Sequence, residues 1–97
     1  MNVFWLKTAI RTRFQQLDYI AQDNPAAAVR LDEAIERHTD LLAQYPSMGR
    51  EGRVNGTREL VVPRSPFIVV YRVKRKRIEI LRILHGAQQW PRSELAF

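Results

Sequence analysis

The stretch FIVVYRVKRKRIEILRIL, residues 67–84, decides the fold. Two runs of β-branched and aliphatic residues flank the four cations KRKR, which predicts two antiparallel strands joined by a hairpin turn. Residues 67–71 are apolar at every position apart from the hydroxyl of Tyr71. A strand of this kind has no polar face, so we expect it to be central and covered on two sides. A tight hairpin over KRKR pairs Val73 with Ile78.

The predicted register places different residues opposite two arginines of this hairpin. Arg72 falls opposite Glu79, which predicts an ordinary ion pair. Arg82 falls opposite Val69 and shares the alternation of the neighbouring aliphatic residues. An arginine among aliphatic side chains is unfavourable unless an anionic group meets it. We therefore expect either a buried carboxylate beside Arg82 or an anionic ligand that it binds, and both interpretations remain open.

Upstream of the hairpin, residues 2–6 predict a strand and residues 8–45 predict two packed helices. Thr8 is suited to cap the first helix, and Asn24 followed by Pro25 is suited to start the second. Each helix carries an apolar stripe with spacings of three and four residues, which predicts an antiparallel helical hairpin. The stripes consist of Ile10, Phe14, Leu17 and Ala21 in the first helix, and of Ala28, Leu31, Ile35, His38, Leu42 and Tyr45 in the second.

These segments predict a single α+β domain over residues 1–97, with the order β-α-α-β-β-β. The helical hairpin packs on one face of a mostly antiparallel sheet, residues 58–85 form a three-stranded meander, and residues 86–97 form a tail. The glycines of residues 46–57 fit no phosphate-binding motif and indicate a turning loop. Because no sequence remains for a second layer, we expect the other face of the sheet to be a groove or a partner surface.

Charge is distributed unevenly along the chain. Residues 1–45 carry five basic and six acidic side chains, whereas residues 46–97 carry eleven basic and four acidic ones. A basic half predicts an acidic partner, either a nucleic acid or an acidic protein. A solvated basic face without a specific ligand would have the same composition.

Other features limit the classes of function. The chain has no cysteine, which excludes thiol catalysis and thiolate metal sites, and we predict neither a metal nor a cofactor. The apolar run at residues 3–6 is too short for a signal sequence or a membrane span. We therefore expect a cytoplasmic protein with no membrane association.

Five motifs, in their order along the chain, resemble the RelE/ParE superfamily of toxins from bacterial type II toxin–antitoxin modules. They are YIAQDNPAAA, YPSMGREGR, GTRELVV, VVYRV and IEILRILHGAQQW. The similarity extends over residues 3–91. It implies a growth-inhibiting toxin of a plasmid-stabilisation module, held inactive by a cognate antitoxin. That antitoxin is expected to be acidic, partly disordered and DNA-binding.

The superfamily contains two kinds of toxin with different targets. RelE-like members cleave mRNA on the ribosome without metal, using basic residues and usually a tyrosine near the C-terminus. The positions of this chain that match such a site are Arg58, Arg72, Arg82 and His85. The tyrosine is missing, because the only large aromatic with a polar edge after His85 is Trp90, and an indole cannot act as a general acid. A histidine near neutral pKa could substitute for it.

ParE-like members inhibit DNA gyrase and need no nuclease site. The GR after the second helix, the YRV motif and a last strand ending in LH resemble this branch, which we favour over the RelE-like alternative. Whether the chain is an enzyme depends on this choice. The residues predicted to contact the target or the antitoxin are Arg50, Arg53, Arg58, Arg82, His85 and Trp90. One departure is the short C-terminus, since some ParE-like chains continue into a helix.

Two further expectations concern the end of the chain and a third class of function. Gly86 would let the chain turn so that Trp90 and Pro91 pack back over the core, while His85 either belongs to the site or fixes this turn through the backbone. A plain nucleic-acid-binding module is the least favoured reading. Its base-stacking aromatics would have to be Phe4, Trp5, Phe14 or Phe67, which lie in apolar runs typical of core.

Overall fold

The computed structural model describes residues 1–86 and residue 90. The elements are β1 (Asn2–Trp5), α1 (Lys7–Asp23), α2 (Pro25–Leu41), β2 (Arg50–Glu51), β3 (Arg58–Val61), β4 (Phe67–Lys74) and β5 (Arg77–His85). The five strands form one mixed sheet in the order β1-β5-β4-β3-β2, with β1 parallel to β5 and the other neighbours antiparallel. The predicted α+β fold is confirmed, and the glycine-rich loop adds a short strand, β2, that the sequence did not reveal.

Strand β4 is the centre of the sheet, as predicted, and its residues 67–71 are all buried. The predicted pairing of Val73 with Ile78 is confirmed, and Arg72 lies opposite Glu79. This part of the register follows from the two-residue turn at residues 75–76, which fixes the first pairs of the hairpin.

A β-bulge then shifts the hairpin register between Val70 and Tyr71. Leu81 is the extra residue in β5, so Arg82 lies opposite Val70 and the predicted pairing with Val69 is wrong. A bulge inverts the alternation of the strand that carries it. Arg82 is therefore on the sheet face away from the helices, whereas the preceding isoleucines of β5 face the helices.

The starts of the two helices follow different rules. Helix α2 begins as predicted, because the side chain of Asn24 accepts a hydrogen bond from the N–H of Ala27 at 3.0 Å and Pro25 occupies the first position. Helix α1 begins at Lys7 with Leu6 as its N-cap and no side-chain capping hydrogen bond. Thr8 lies inside the helix, so its predicted capping role is wrong.

The face that α1 turns to the core differs from the predicted stripe. Ile10 and Phe14 are 56% and 70% exposed. The hydroxyl of Thr12 instead accepts a hydrogen bond from the N–H of Ile83 at 2.9 Å, beyond the point where β1 ends. This contact turns Thr12 to the sheet and Phe14 outward. The α1 side chains that pack into the core are Ala9, Leu17 and Ile20.

The helices form the predicted hairpin. Arg13 of α1 makes salt bridges from Nη2 to Asp32 at 2.7 Å and to Glu36 at 3.0 Å, both on α2. The α2 seam is confirmed in part: helix α2 ends at Leu41, so Tyr45 lies outside it and is exposed. The buried members of the seam are Ala28, Ile35 and Leu42.

Each face of the sheet carries its own apolar cluster. The helix-side cluster fills the space under α1 and α2. The second face, away from the helices, buries a smaller cluster against which Leu6 and Val54 pack. The expectation that this face is left to a groove or partner is therefore wrong for its centre, since Trp90 and the loop before β3 cover it. Pro91 lies outside the described residues. The second cluster comprises Ile68, Val70, Leu81, Leu84 and Trp90.

Candidate functional site

On the second face, the carboxylate of Glu59 is buried beneath two arginines. Glu59 is 2% exposed. Its Oε2 accepts hydrogen bonds from the N–H and Nε of Arg53 at 2.9 and 3.1 Å, and its Oε1 accepts from Nη2 of Arg53 at 3.1 Å and from Nη2 of Arg50 at 3.2 Å. Burial raises the pKa of Glu59, but these hydrogen bonds outweigh it and hold the pKa below the ordinary 4.5. Glu59 thereby fixes the loop between β2 and β3.

A second carboxylate, Glu79 of β5, is held in the same way at the other end of the second face. Nε of Arg72 donates to Oε1 at 2.7 Å, and Nε and Nη2 of Arg77 donate to Oε2 at 3.0 and 2.7 Å. The Arg77 guanidinium also lies 5.0 Å from the centre of the Phe4 ring. Hydrogen bonding to Arg72 is the main cause that holds the pKa of Glu79 below 4.5. The predicted Arg72–Glu79 pair is confirmed, and Arg77 joins it.

Arg82 contacts an aromatic ring. Its guanidinium carbon lies 4.8 Å from the centre of the buried Trp90 ring, within the range of a cation–π interaction. The predicted return of Trp90 over the sheet is thus confirmed. At the end of β5, the N–H of Gly86 donates to the carbonyl of Pro66 at 2.6 Å, and His85 is exposed.

Arg58 anchors the loop that follows α2. Its Nη1 donates to the carbonyl of Gly49 at 2.7 Å. The buried hydroxyl of Tyr71 donates to the carbonyl of Pro46 at 2.7 Å and accepts from the N–H of Gly49 at 2.9 Å. A Cβ on Gly49 would lie 2.7 Å from Cε1 of Tyr71, so the close approach requires glycine. Burial raises the pKa of Tyr71, which keeps the phenol protonated.

The sheet divides the predicted site residues between its two faces. Arg72 and Arg82 project from the second face. Arg58 lies opposite Tyr71 and His85 lies opposite Phe67, both in register with residues of the helix-side core. The four positions that match a nuclease site are therefore split into two pairs. The predicted contact residues that share the second face are Arg50, Arg53, Arg82 and Trp90.

Residues 3–90 match the sequence model of the family described as "ParE toxin of type II toxin-antitoxin system, parDE". The chain belongs to this family. It is accordingly a toxin of a type II toxin–antitoxin system, as the motif order predicted.

Individual relatives support this membership of the ParE toxin family. The chain is 43% identical over 90 residues to the protein Y4kP of Sinorhizobium fredii, covering 93% of each chain. It is 34% identical over 87 residues to toxin RelE2 of Caulobacter vibrioides, covering 90% of this chain and 97% of that toxin. It also resembles a solved chain from a chromosomal ParDE TA system of P. aeruginosa. That likeness has a TM-score of 0.79 and 30% identity, and covers 88% of this chain and 95% of the other.

This ParE-family chain also exposes an apolar groove that the sequence analysis did not identify. The groove holds about 490 Å³ beside the two helices. Its lining includes the exposed Ile10 and Phe14 and also Arg13, whose guanidinium lies 4.7 Å from the centre of the Trp5 ring. The sequence shows the helical spacing of Ile10 and Phe14, but it does not show that both side chains face outward.

Metal-binding clusters and membrane-spanning helices are both absent from the described residues of this ParE-family toxin. Within residues 1–86 and 90, no cluster of three or more histidine, aspartate or glutamate side chains could hold a metal ion. Over the same residues, no helix has the length and apolar character needed to cross a membrane.

Proposed function

We propose that this toxin inhibits growth by binding DNA gyrase, without cleaving RNA, and that a cognate antitoxin neutralises it. The main support is that the nuclease-like positions do not share a face of the sheet. Arg58 and His85 lie on the helix side, and the other two, Arg72 and Arg82, lie on the second face. The resemblance to ParE-like toxins supplies the target. Gyrase acts on chromosomal and plasmid DNA, so the proposal includes a cytoplasmic location.

RNA cleavage through a 2′-hydroxyl requires cations at the scissile phosphate and proton-transfer groups within hydrogen-bond reach. Arg72 is bound by the carboxylate of Glu79, and Arg58 is bound by a backbone carbonyl. The sequence contains no tyrosine after Tyr71, whose own hydroxyl is buried in two hydrogen bonds. This arrangement favours a toxin that acts by binding.

The basic second half of the chain supports the antitoxin part of the proposal. Residues 46–97 carry an excess of seven positive charges, which an acidic polypeptide would complement. The solved relative comes from a ParDE toxin–antitoxin system, which supports a partner of that kind. We propose that the partner is partly disordered when free and folds on binding.

The direct test of the target is a supercoiling assay with purified gyrase and relaxed plasmid. We expect the purified chain to abolish supercoiling in a concentration-dependent way, and the cognate antitoxin to restore it. Undiminished supercoiling at a molar excess of folded toxin would overturn the gyrase assignment.

A growth experiment tests the toxin–antitoxin assignment independently of the target. Expression of the chain alone should arrest bacterial growth, and co-expression of the small acidic protein encoded beside it should restore growth. Normal growth with folded protein accumulating would contradict the proposed activity.

A further inference from the structure

The turn between β4 and β5, residues 74–77, combines four consecutive cations with an unfavourable backbone. Lys74 pairs with Arg77, which leaves Arg75 and Lys76 as a two-residue loop. Both loop residues have positive φ, 54° and 60°. Hairpin turns with two positive φ angles strongly favour Asn-Gly, because a Cβ disfavours the left-handed region. A sequence chosen for stability alone would not place arginine and lysine here.

Repulsion between like charges also destabilises this turn. Lys74 and Arg77 are directly opposite each other, and like charges in that position destabilise a hairpin. Glu79 offsets part of this repulsion through its contacts with Arg77 and Arg72. This end of the sheet still carries five cations at residues 72 and 74–77. The carboxylates near them are Glu79 and Glu51, the latter lining a pocket beside Val73.

We propose that residues 74–77 bind the backbone phosphates of duplex DNA. Local features that oppose stability persist where function uses them. A hairpin end with several cations suits phosphate contacts, which position a protein on DNA without reading its sequence. The choice of DNA as the polyanion rests on the proposed function, because gyrase holds a DNA duplex at its active site.

The geometry leaves the turn accessible to such a ligand. The ladder between β3 and β4 starts at the pair Arg58–Tyr71, so the last three residues of β4 extend beyond it on that side. On the other side, Asn2 of β1 is level with Arg77. Arg75 and Lys76 therefore lie at the extreme end of the sheet, and both are exposed.

Two variants separate the charge of the turn from its strain. Arg75→Gln with Lys76→Gln removes two charges and keeps side chains at both positive φ positions. Arg75→Asn with Lys76→Gly removes the same charges and relieves the strain. The matched control, Arg64→Gly with Arg37→Gln, also removes two charges and relieves one positive φ, 56° at Arg64. Its two residues line another basic groove, between α2 and the β3–β4 turn.

The measurement is fluorescence anisotropy of the purified full chain with a labelled DNA duplex over a range of salt concentrations. We expect both turn variants to lose affinity by at least about tenfold. The negative slope of log affinity against log salt should become shallower by about two, because two phosphate contacts are lost. The control should retain the wild-type slope to within about one. The Asn-Gly variant should melt at a higher temperature than the wild type, and the Gln-Gln variant should not.

Three results would overturn the proposal: equal losses in the control, a lower melting temperature of the Asn-Gly variant, or preferential binding of an RNA duplex. A supercoiling assay run beside the binding measurement distinguishes failure of the DNA contact from failure of the gyrase assignment. If the wild type inhibits gyrase and the turn variants bind the DNA duplex as tightly as the wild type, the DNA contact is refuted and the gyrase assignment stands. If the wild type leaves gyrase active yet binds DNA through the turn, the contact stands and the gyrase assignment fails.

Discussion

Nε of Arg72 lies 2.7 Å from Oε1 of Glu79, and this contact joins the two central strands on the second face. The resemblance to RelE-like toxins predicts that Arg72 matches the position of a catalytic cation. Here it is held by a buried carboxylate that Arg77 also binds. If Arg72 turned away from Glu79, the carboxylate would keep Arg77 as its charged partner. The pair therefore ties the position of Arg72 to the stability of the hairpin.

Replacing Glu59 with glutamine should destabilise the fold. The substitution keeps the volume of the side chain but removes the charge that Arg50 and Arg53 bind. We expect the free energy of unfolding to fall by about 1.5–3 kcal/mol, the range for hydrogen bonds to charged groups. Urea unfolding measures it. The control is Glu51→Gln on the exposed strand β2, expected within about 0.5 kcal/mol of wild type. Equal effects of the two substitutions would refute the structural role of Glu59.

The two buried carboxylates also predict how stability depends on pH. Their pKa values are lower in the folded chain than the ordinary 4.5, so the unfolded chain binds protons first as pH falls. Their contribution is fully present above pH 4.5 and is lost as pH falls through the folded pKa values. Unfolding free energies over an acid pH series should therefore decline less steeply in Glu59→Gln/Glu79→Gln than in wild type. Parallel curves would contradict this assignment.

Tyr71→Phe should loosen the loop that follows α2. The substitution leaves the N–H of Gly49 and the carbonyl of Pro46 without their buried partner. We expect a loss of about 1–3 kcal/mol in the free energy of unfolding and faster hydrogen exchange at Gly49. Tyr19→Phe, at a 75% exposed tyrosine, is the control and should change neither quantity. Unchanged exchange at Gly49 in Tyr71→Phe would show that other contacts fix the loop.

Substitutions of Arg82 and Arg58 should separate the effect on target binding from the effect on stability. Arg82→Met keeps an apolar stem over Trp90, so we expect a loss of only about 0.5–1 kcal/mol of stability and at least about tenfold weaker inhibition of gyrase. Arg58, although the sequence predicts a contact there, lies opposite Tyr71 on the helix side of the sheet. Arg58→Met removes the hydrogen bond to Gly49 and should therefore lower the melting temperature while leaving inhibition per folded molecule unchanged. Melting curves and supercoiling assays on both variants decide this. The reverse pattern would make Arg82 a scaffold residue.

The register of the central hairpin could be predicted only as far as the bulge. Near the turn, the cations and Glu79 mark which residues face each other, and the Arg72–Glu79 pair followed from that alone. Beyond it, the run ILRIL has aliphatic residues on both sides of the alternation, so nothing in the sequence reveals that Leu81 is an extra residue. Strict alternation along β5 predicts that Arg82 shares a face with Ile78 and Ile80, and the bulge at Leu81 breaks that alternation.

The remaining differences come from tertiary contacts that the sequence pattern does not encode. Ile10 and Phe14 fit a helical stripe, but the bond between Thr12 and Ile83 sets the rotation of α1. The burial of Glu59 depends on a loop that brings Arg53 back to it. Local spacing predicts which elements form, whereas these contacts decide which way their side chains point.

We propose that this toxin does not cleave RNA, and the decisive measurement is primer extension on mRNA in a purified translation system. With wild-type toxin in excess over ribosomes, we predict full-length extension products at every codon, because the four nuclease-like positions lie on two faces of the sheet. A RelE-like toxin in the same reactions serves as the positive control. Ribosome-dependent cleavage that disappears in His85→Ala or Arg82→Ala would show that the toxin is a nuclease and that these residues take part in cleavage.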